Sequence, residues 1–121
     1  KSLIATGINE SKIFVAQNTI NIERIFALDF KRVANLSSDT YVILFVGVLI
    51  SEKNLDITIK AIARLIREGW KIRFNIIGQG SIIDNLKSVV AHESMEDYVS
   101  ILGPKYDAEL SSYFFCHVLI R

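Results

Sequence analysis

Residues Tyr41 to Val46 read YVILFV, six apolar or aromatic residues in a row, most of them strand formers. A strand with no polar face has to be buried on both sides. That is the situation of a strand inside a parallel sheet covered by helices. Gly47 ends the run, and the polar segment Ser51-Glu52-Lys53-Asn54 separates it from an amphipathic helix expected to begin at about Leu55. Asn54 is expected to cap that helix, its side-chain oxygen accepting from the free N–H groups of the first turn. A strand, a glycine turn and a helix N-terminus together aim unpaired N–H groups and a positive dipole end at one point. Lys53 adds a full positive charge beside them. This is a physical recipe for holding a phosphate, although Gly47 serves equally as a plain strand-ending turn and Lys53 as a solvated loop lysine.

The remaining pattern repeats the same unit. Leu55, Ile59, Ile62 and Ile66 fall at i, i+4, i+7 and i+11, one apolar stripe, with Lys60, Arg64, Arg67 and Glu68 off it and Gly69 as the stop. Lys71 to Ile77 alternates as a strand through Ile72, Phe74 and Ile76, and Gly78-Gln79-Gly80-Ser81 forms the next turn. A second helix is predicted from Ser81 to about His92, with Ile82, Leu86, Val89 and Val90 inward. A third strand covers Val99 to Leu102 and closes at Gly103-Pro104. A third helix is expected to be capped by Asp107 and to run to about Phe115, and a fourth strand starts at Val118. Strands and helices thus alternate with repeats of about 25 to 31 residues, the size of a βαβ unit. Right-handed crossovers then give a Rossmann-like α/β fold, a parallel sheet with helices on both faces. Gly47, Gly78 and Gly103 all fall at carboxyl ends of strands, the edge where open α/β sheets bind ligands. Any one of these glycines is also accounted for by a tight turn.

Residues 1–40 read as an entry segment and 41–121 as the βαβ core. In the entry segment Lys1 to Thr6 is expected to be a helix end stopped by Gly7, and Lys12 to Ala16 a short strand. The stretch from Ile20 to Ala34 has no clean period. Opening in the last turn of a helix and stopping in a strand, the chain reads as an excised piece of a longer protein. At 121 residues it suits one domain.

Half of the residues are hydrophobic and the mean hydropathy is +0.33, yet the longest apolar run, Tyr41 to Ile50, is about half of the roughly 20 residues that span a bilayer. A net charge of +1 carries no signal for nucleic acid or acidic membranes. The single cysteine, Cys116, excludes an internal disulfide and points to a reducing, cytoplasmic compartment. Set among Tyr113, Phe114 and Phe115, it reads as a buried small hydrophobe rather than a catalytic thiol. His92 and His117 lie far apart, and no cluster has metal-ligand spacing, so no metal is expected. Glu52 and Asp107 are the carboxylates nearest the glycine edge; contact with ligand hydroxyls is open to either, but loop and cap roles account for both.

The order of these motifs resembles the C-terminal, donor-binding domain of group 1 glycosyltransferases of the GT-B type. Gly47 to Asn54 is similar to that family's Gly-Arg strand end with a following Glu-Lys; Gly78-Gln79-Gly80 is similar to its Gly-x-Gly turn, Leu102-Gly103 to a later Leu-Gly, and Glu109-Leu110 to its helix. Upstream, Lys12 to Asn18 looks like its Lys-Ile-x-Val-x-x-Asn segment. The resemblance covers about Thr6 to the last residue. It implies one half of a GT-B architecture that binds a nucleotide-sugar donor and moves the sugar to a glycan or lipid-linked acceptor. It implies diphosphate contacts at Gly47 and Lys53, and nucleotide contacts around Gly78, Gly80, Leu102, Gly103 and Lys105, with Lys105 and Tyr106 flanking the base. It further implies metal-independent transfer, catalytic glutamates beyond the chain end, an acceptor site in an N-terminal domain, and peripheral membrane contact through parts outside this chain, at the inner face.

Four positions depart from the family. Val48 stands where it usually has arginine, Asn54 where it has glycine, Gln79 where it has an acidic residue and His117 where it has aspartate. Losing the arginine removes one of two cations expected at the diphosphate, which leaves open a second reading, a catalytically degenerate domain serving as a scaffold or interaction module. A receiver-like or flavodoxin-like domain fits less well, because glycines stand where receivers need acidic clusters. No Gly-x-Gly-x-x-Gly follows the first strand, against dinucleotide binding.

Overall fold

The computed structural model describes residues 7, 9, 11, 39–114, 116 and 118–120. The expected strand at Lys12 to Ala16, Asn18, the stretch from Ile20 to Ala34 and His117 lie outside these residues, as does Lys1 to Thr6. Gly7 has φ +85°, in the left-handed region that favours glycine.

Four strands, β1 (Tyr41–Val46), β2 (Ile72–Ile77), β3 (Val99–Gly103) and β4 (Val118–Ile120), form one sheet in the order β3-β2-β1-β4. All three pairings are parallel. Helix α1 (Leu55–Arg67) links β1 to β2, α2 (Ile83–His92) links β2 to β3, and α3 (Asp107–Ser111) links β3 to β4. The chain steps outward from β1 to β2 to β3 and then returns across the sheet to place β4 on the other side of β1. Right-handed crossovers therefore put α1 and α2 on one face, where they pack together, and α3 on the other.

Register explains the core. Ile120, Phe45, Ile76 and Ile101 form one row across all four strands, and Ile43, Phe74 and Val99 another beside it. Phe45, Phe74 and Ile76 are wholly buried and share a cluster with Leu55, Ile59, Ile62 and Ala63 of α1 and Leu86 and Val90 of α2. Each such side chain contributes about 1.5–3 kcal/mol by leaving water. Val42, Leu44 and Ile77 point to the opposite face and are buried as well, as an all-apolar β1 requires.

Both long helices end in the same way. At α1, Gly69 N–H donates to Ile66 O (3.0 Å) and Trp70 N–H to Leu65 O (3.1 Å), with Gly69 at φ +99°. At α2, Ser94 N–H donates to Ala91 O (3.1 Å) and Met95 N–H to Val90 O (2.9 Å). Here Ser94 takes the left-handed position at φ 56°, and the burial of Met95 holds it there. The two helix ends are joined by Arg67, whose Nη2 donates to Glu93 Oε2 (2.7 Å) and Glu93 O (3.2 Å).

The third helix differs from the sequence reading. It stops at Ser111 rather than running to Phe115, and its cap is Tyr106, with Asp107 the first helical residue at φ 48°. Ser111 Oγ and Ser112 Oγ each donate back to carbonyls three residues earlier, Ala108 O and Glu109 O, both at 2.8 Å. Serine bonds of this kind compete with continued helix.

Two outcomes follow. Phe74→Ala should lower the unfolding free energy by about 3–5 kcal/mol in urea denaturation, because the site is closed on every side. The Arg67 hydrogen bond, aided by the charges of Arg67, His92 and Lys60, holds Glu93 below its ordinary carboxylate range, against an opposing push from burial. A depressed folded pKa means the stabilisation is present above the unfolded value and is lost as pH falls through the folded one. Glu93→Gln should therefore flatten the acid limb of a melting-temperature profile as pH falls through and below the ordinary carboxylate value of 4.5, while leaving its alkaline limb unchanged.

Candidate functional site

The sheet reverses its winding direction between β1 and β4, the topological switch point at whose carboxyl ends folds of this class bind ligands. Gly47 and the loop to Asn54 leave β1 at this point. The segment after β2 is bonded to it, and the end of β3 is bonded in turn to the β2 segment. Gly47 N–H donates to Ile77 O (3.0 Å), Leu49 N–H to Gln79 O (2.9 Å) and Ile82 N–H to Leu49 O (3.3 Å). Gly78 N–H donates to Gly103 O (3.0 Å). The three glycine loops expected on one edge are thus one hydrogen-bonded unit.

The reason for glycine differs among them. A Cβ at Gly78 would lie 1.8 Å from Gly47 O, and one at Gly80 would lie 2.1 Å from Leu49 O. Both are forbidden by neighbouring backbone. At Gly103 there is open space, and φ +70° is what favours glycine. At Gly47 a Cβ would meet only the Phe45 ring, at 3.1 Å.

Residues Ser51–Lys53 form one turn of 3-10 helix, closed by Lys53 N–H to Ile50 O (3.1 Å) and Asn54 N–H to Ser51 O (3.0 Å). Asn54 ends that turn and begins α1, in the left-handed conformation (φ 49°, ψ 36°). This corrects the expected cap. The side-chain oxygen of Asn54 makes no cap bond; its Nδ2 instead donates to Glu52 O (3.4 Å). The left-handed backbone is the reason, since an Ncap side chain reaches its first turn from extended φ/ψ. The same conformation explains the residue type, because after glycine asparagine is the residue that visits it most readily. The first turn of α1 consequently has no side-chain cap. Lys53 is exposed beside it and makes no ion pair with a described residue. Glu52 accepts from Ser51 Oγ (3.2 Å).

Val48 is 59% exposed, an apolar side chain standing out from the loop. On the far side, Lys105 is ion-paired with Glu109, one helical turn away, and the bond raises the lysine's pKa. Lys105 is therefore already held, while Tyr106 is exposed. Burial pushes the Cys116 thiol up, so it is protonated near neutral pH and a poor nucleophile. Among the described residues no group of His, Cys, Asp and Glu could hold a metal, and no helix is long and apolar enough to cross a membrane.

Leu49 was not singled out by sequence reasoning. Two residues past a strand-ending glycine it looks like loop, yet it is wholly buried. The only signal for it was that the apolar run continues past Gly47 through Val48, Leu49 and Ile50. Two open depressions of about 440 and 340 Å³ flank Trp70 at the opposite, amino edge of the sheet. They are lined by Lys71, Arg73, Asp97 and Tyr98 on one side and Tyr41 and Glu68 on the other, away from the switch point.

With this geometry in place, comparison with known proteins is informative. Residues 28–115 match the family model described as glycosyl transferases group 1. The chain is 32% identical over 111 residues to the amylovoran biosynthesis glycosyltransferase AmsK of Erwinia amylovora, covering 92% of this chain and 26% of that protein. The chain thus spans about a quarter of the length of the curated relative it matches. Among solved structures it is similar to the pneumococcal O-GlcNAc transferase GtfA, in complex with UDP and GlcNAc (TM-score 0.55, 26% identity, 60% of this chain and 15% of that one). The lipopolysaccharide outer core galactosyltransferase WaaB, in its apo form, shares the fold (TM-score 0.54, 23% identity, 85% of this chain and 27% of that one).

The two kinds of glycine should separate on substitution. Gly103→Ala should cost about 1 kcal/mol of stability, the strain of the left-handed backbone alone. Gly78→Ala, which drives a carbon into Gly47 O, should cost about 3 kcal/mol or more, read from the same denaturation curves.

Proposed function

The chain belongs to the group 1 glycosyl transferases, and from that premise we propose that it forms the donor-binding part of an enzyme that transfers a sugar from a nucleotide diphosphate to a glycan or lipid-linked acceptor. The observation that carries the reading is the loop at the switch point, where the exposed Lys53 stands beside an uncapped helix N-terminus. In this reading the donor's diphosphate lies against Gly47, Lys53 and the first turn of α1, and the nucleoside extends toward Leu102, Gly103 and Lys105 across the Gly78–Gly80 turn. Because Lys105 is bonded to Glu109, the base is met mainly by the backbone of that segment, with Lys105 as a fixed wall.

The chemistry asked of these groups is to stabilise charge. As the glycosidic bond to the donor breaks, negative charge develops on the departing diphosphate. Lys53 and the helix dipole, already oriented, meet it without reorganisation. Transfer by this means is metal-independent, and the acceptor and the residues that contact the sugar come from outside this chain. The work is assigned to the cytoplasmic side of a membrane on which glycans are assembled. Uracil is the favoured base, supported by the UDP complex of the pneumococcal relative.

Val48 sets the strength of the site. Where arginine would add a second cation, its side chain offers the phosphate nothing, so the affinity of this loop rests on Lys53 and backbone.

Titration with UDP, GDP and ADP by NMR or calorimetry tests the reading. UDP should bind saturably, Lys53→Ala should weaken it about tenfold or more, and Val48→Arg should tighten it about tenfold. Absence of UDP, GDP and ADP binding both by this chain and by a longer polypeptide containing it would instead favour a degenerate domain that serves as an interaction module.

A further inference from the structure

We propose that Gly80 is a positioning residue for the diphosphate loop, acting through the backbone of Leu49 rather than by touching the nucleotide; this rests on the donor-site reading above. Gly80 does not have the left-handed backbone that demands glycine elsewhere in the chain. Any residue could adopt its conformation, so the requirement for glycine is one of approach. A Cβ there would lie 2.1, 2.6 and 2.7 Å from the O, C and N of Leu49. All three are backbone atoms, with no flexible side chain to swing aside. To restore ordinary contact Leu49 would have to retreat by more than about 1 Å.

Leu49 is poorly able to retreat without consequence. Its N–H donates to Gln79 O (2.9 Å), its C=O accepts from Ile82 N–H (3.3 Å), and its side chain is wholly buried in the core. Directly after it, Ile50 O accepts from Lys53 N–H (3.1 Å) and Ser51 O accepts from Asn54 N–H (3.0 Å). The 3-10 turn bearing Lys53 is thus built on the residue that Leu49 anchors, and the path from Gly80 to Lys53 runs through fixed backbone. Displacing a charge-stabilising group by about 1 Å is enough to cost much of its effect. Glycine at 80 lets the two loops close to hydrogen-bonding distance, and that closure sets where Lys53 stands.

The test uses Gly80→Ala with Gly69→Ala as its control, since Gly69 (φ +99°) has no atom within 4 Å of a built Cβ and lies at the far end of α1. Each is combined with Lys53→Ala, with UDP as the probe and amide spectra as a second readout. The expected result is that Gly80→Ala weakens UDP about tenfold or more, shifts the Lys53 and Asn54 amides, and makes Lys53→Ala nearly silent, whereas Gly69→Ala does none of these. Gly80→Ala that stays folded with Lys53→Ala costing the same factor in both backgrounds overturns the inference and leaves the donor site standing. If neither wild type nor a longer polypeptide containing it binds UDP, GDP or ADP, the donor-site reading falls and the positioning role with it, whatever the amides do. Should Gly80→Ala fail to fold, the wild type decides by amide exchange. UDP must then protect the Leu49 and Ile82 amides together with that of Lys53, and protection of Lys53 alone overturns the proposal.

Discussion

Burial of β1 on both faces is the constraint from which the rest of the structure follows. Phe45 and Leu44 point to opposite sides of one strand and neither is exposed. That is possible only if other parts of the chain cover both faces and other strands flank both edges. Parallel partners on each side, β2 and β4, require crossover connections, and α1 with its wholly buried Leu55 and Ile59 supplies the first of them. The same demand fixes the winding: the chain can surround β1 only by building outward in one direction and then returning past it.

That reversal also sets the place of the candidate site. The loop at the carboxyl end of β1 lies at that switch point, carries Lys53 and opens α1. What makes it a defined site rather than a mobile loop is the contact between backbones. Gly78 and Gly80 remove the side chains that would separate the β1 and β2 loops, and three hydrogen bonds then join them. A glycine in such a turn is readily taken for a place where a ligand approaches the backbone. Here the closest approach is made by the protein itself.

The resemblance to a nucleotide-sugar-binding domain and the physical reading of the loop agree in substance and differ in one detail of weight. Val48 stands exposed where a second cation is expected, and Lys105 is held by Glu109. Among the residues expected to meet the donor's charge, Lys53 is therefore the one whose ammonium group is left to do so. Asn54 keeps the left-handed junction that glycine would otherwise provide.

Much of the architecture could be read from the order of residues alone. The unbroken apolar run of β1, the stripe of α1 and the alternation of β2 are local patterns whose periods match strand and helix geometry, so their boundaries fell within a residue or two of those observed. Caps were less legible. Asn54 and Asp107 have side chains that suit a cap, but whether they act as one depends on φ, which the surrounding turn imposes; both proved left-handed. Leu49 and Ser94 escaped notice for the same reason, since a buried loop leucine and a left-handed serine are defined by what packs on them. The sequence by itself determined that the chain is a parallel α/β unit with three glycine loops on one edge, because periodicity and strand burial are properties of a segment. Only the tertiary structure decided which glycines serve the backbone and where Lys53 stands, because those depend on distances between segments about 30 residues apart that meet only when the sheet is assembled.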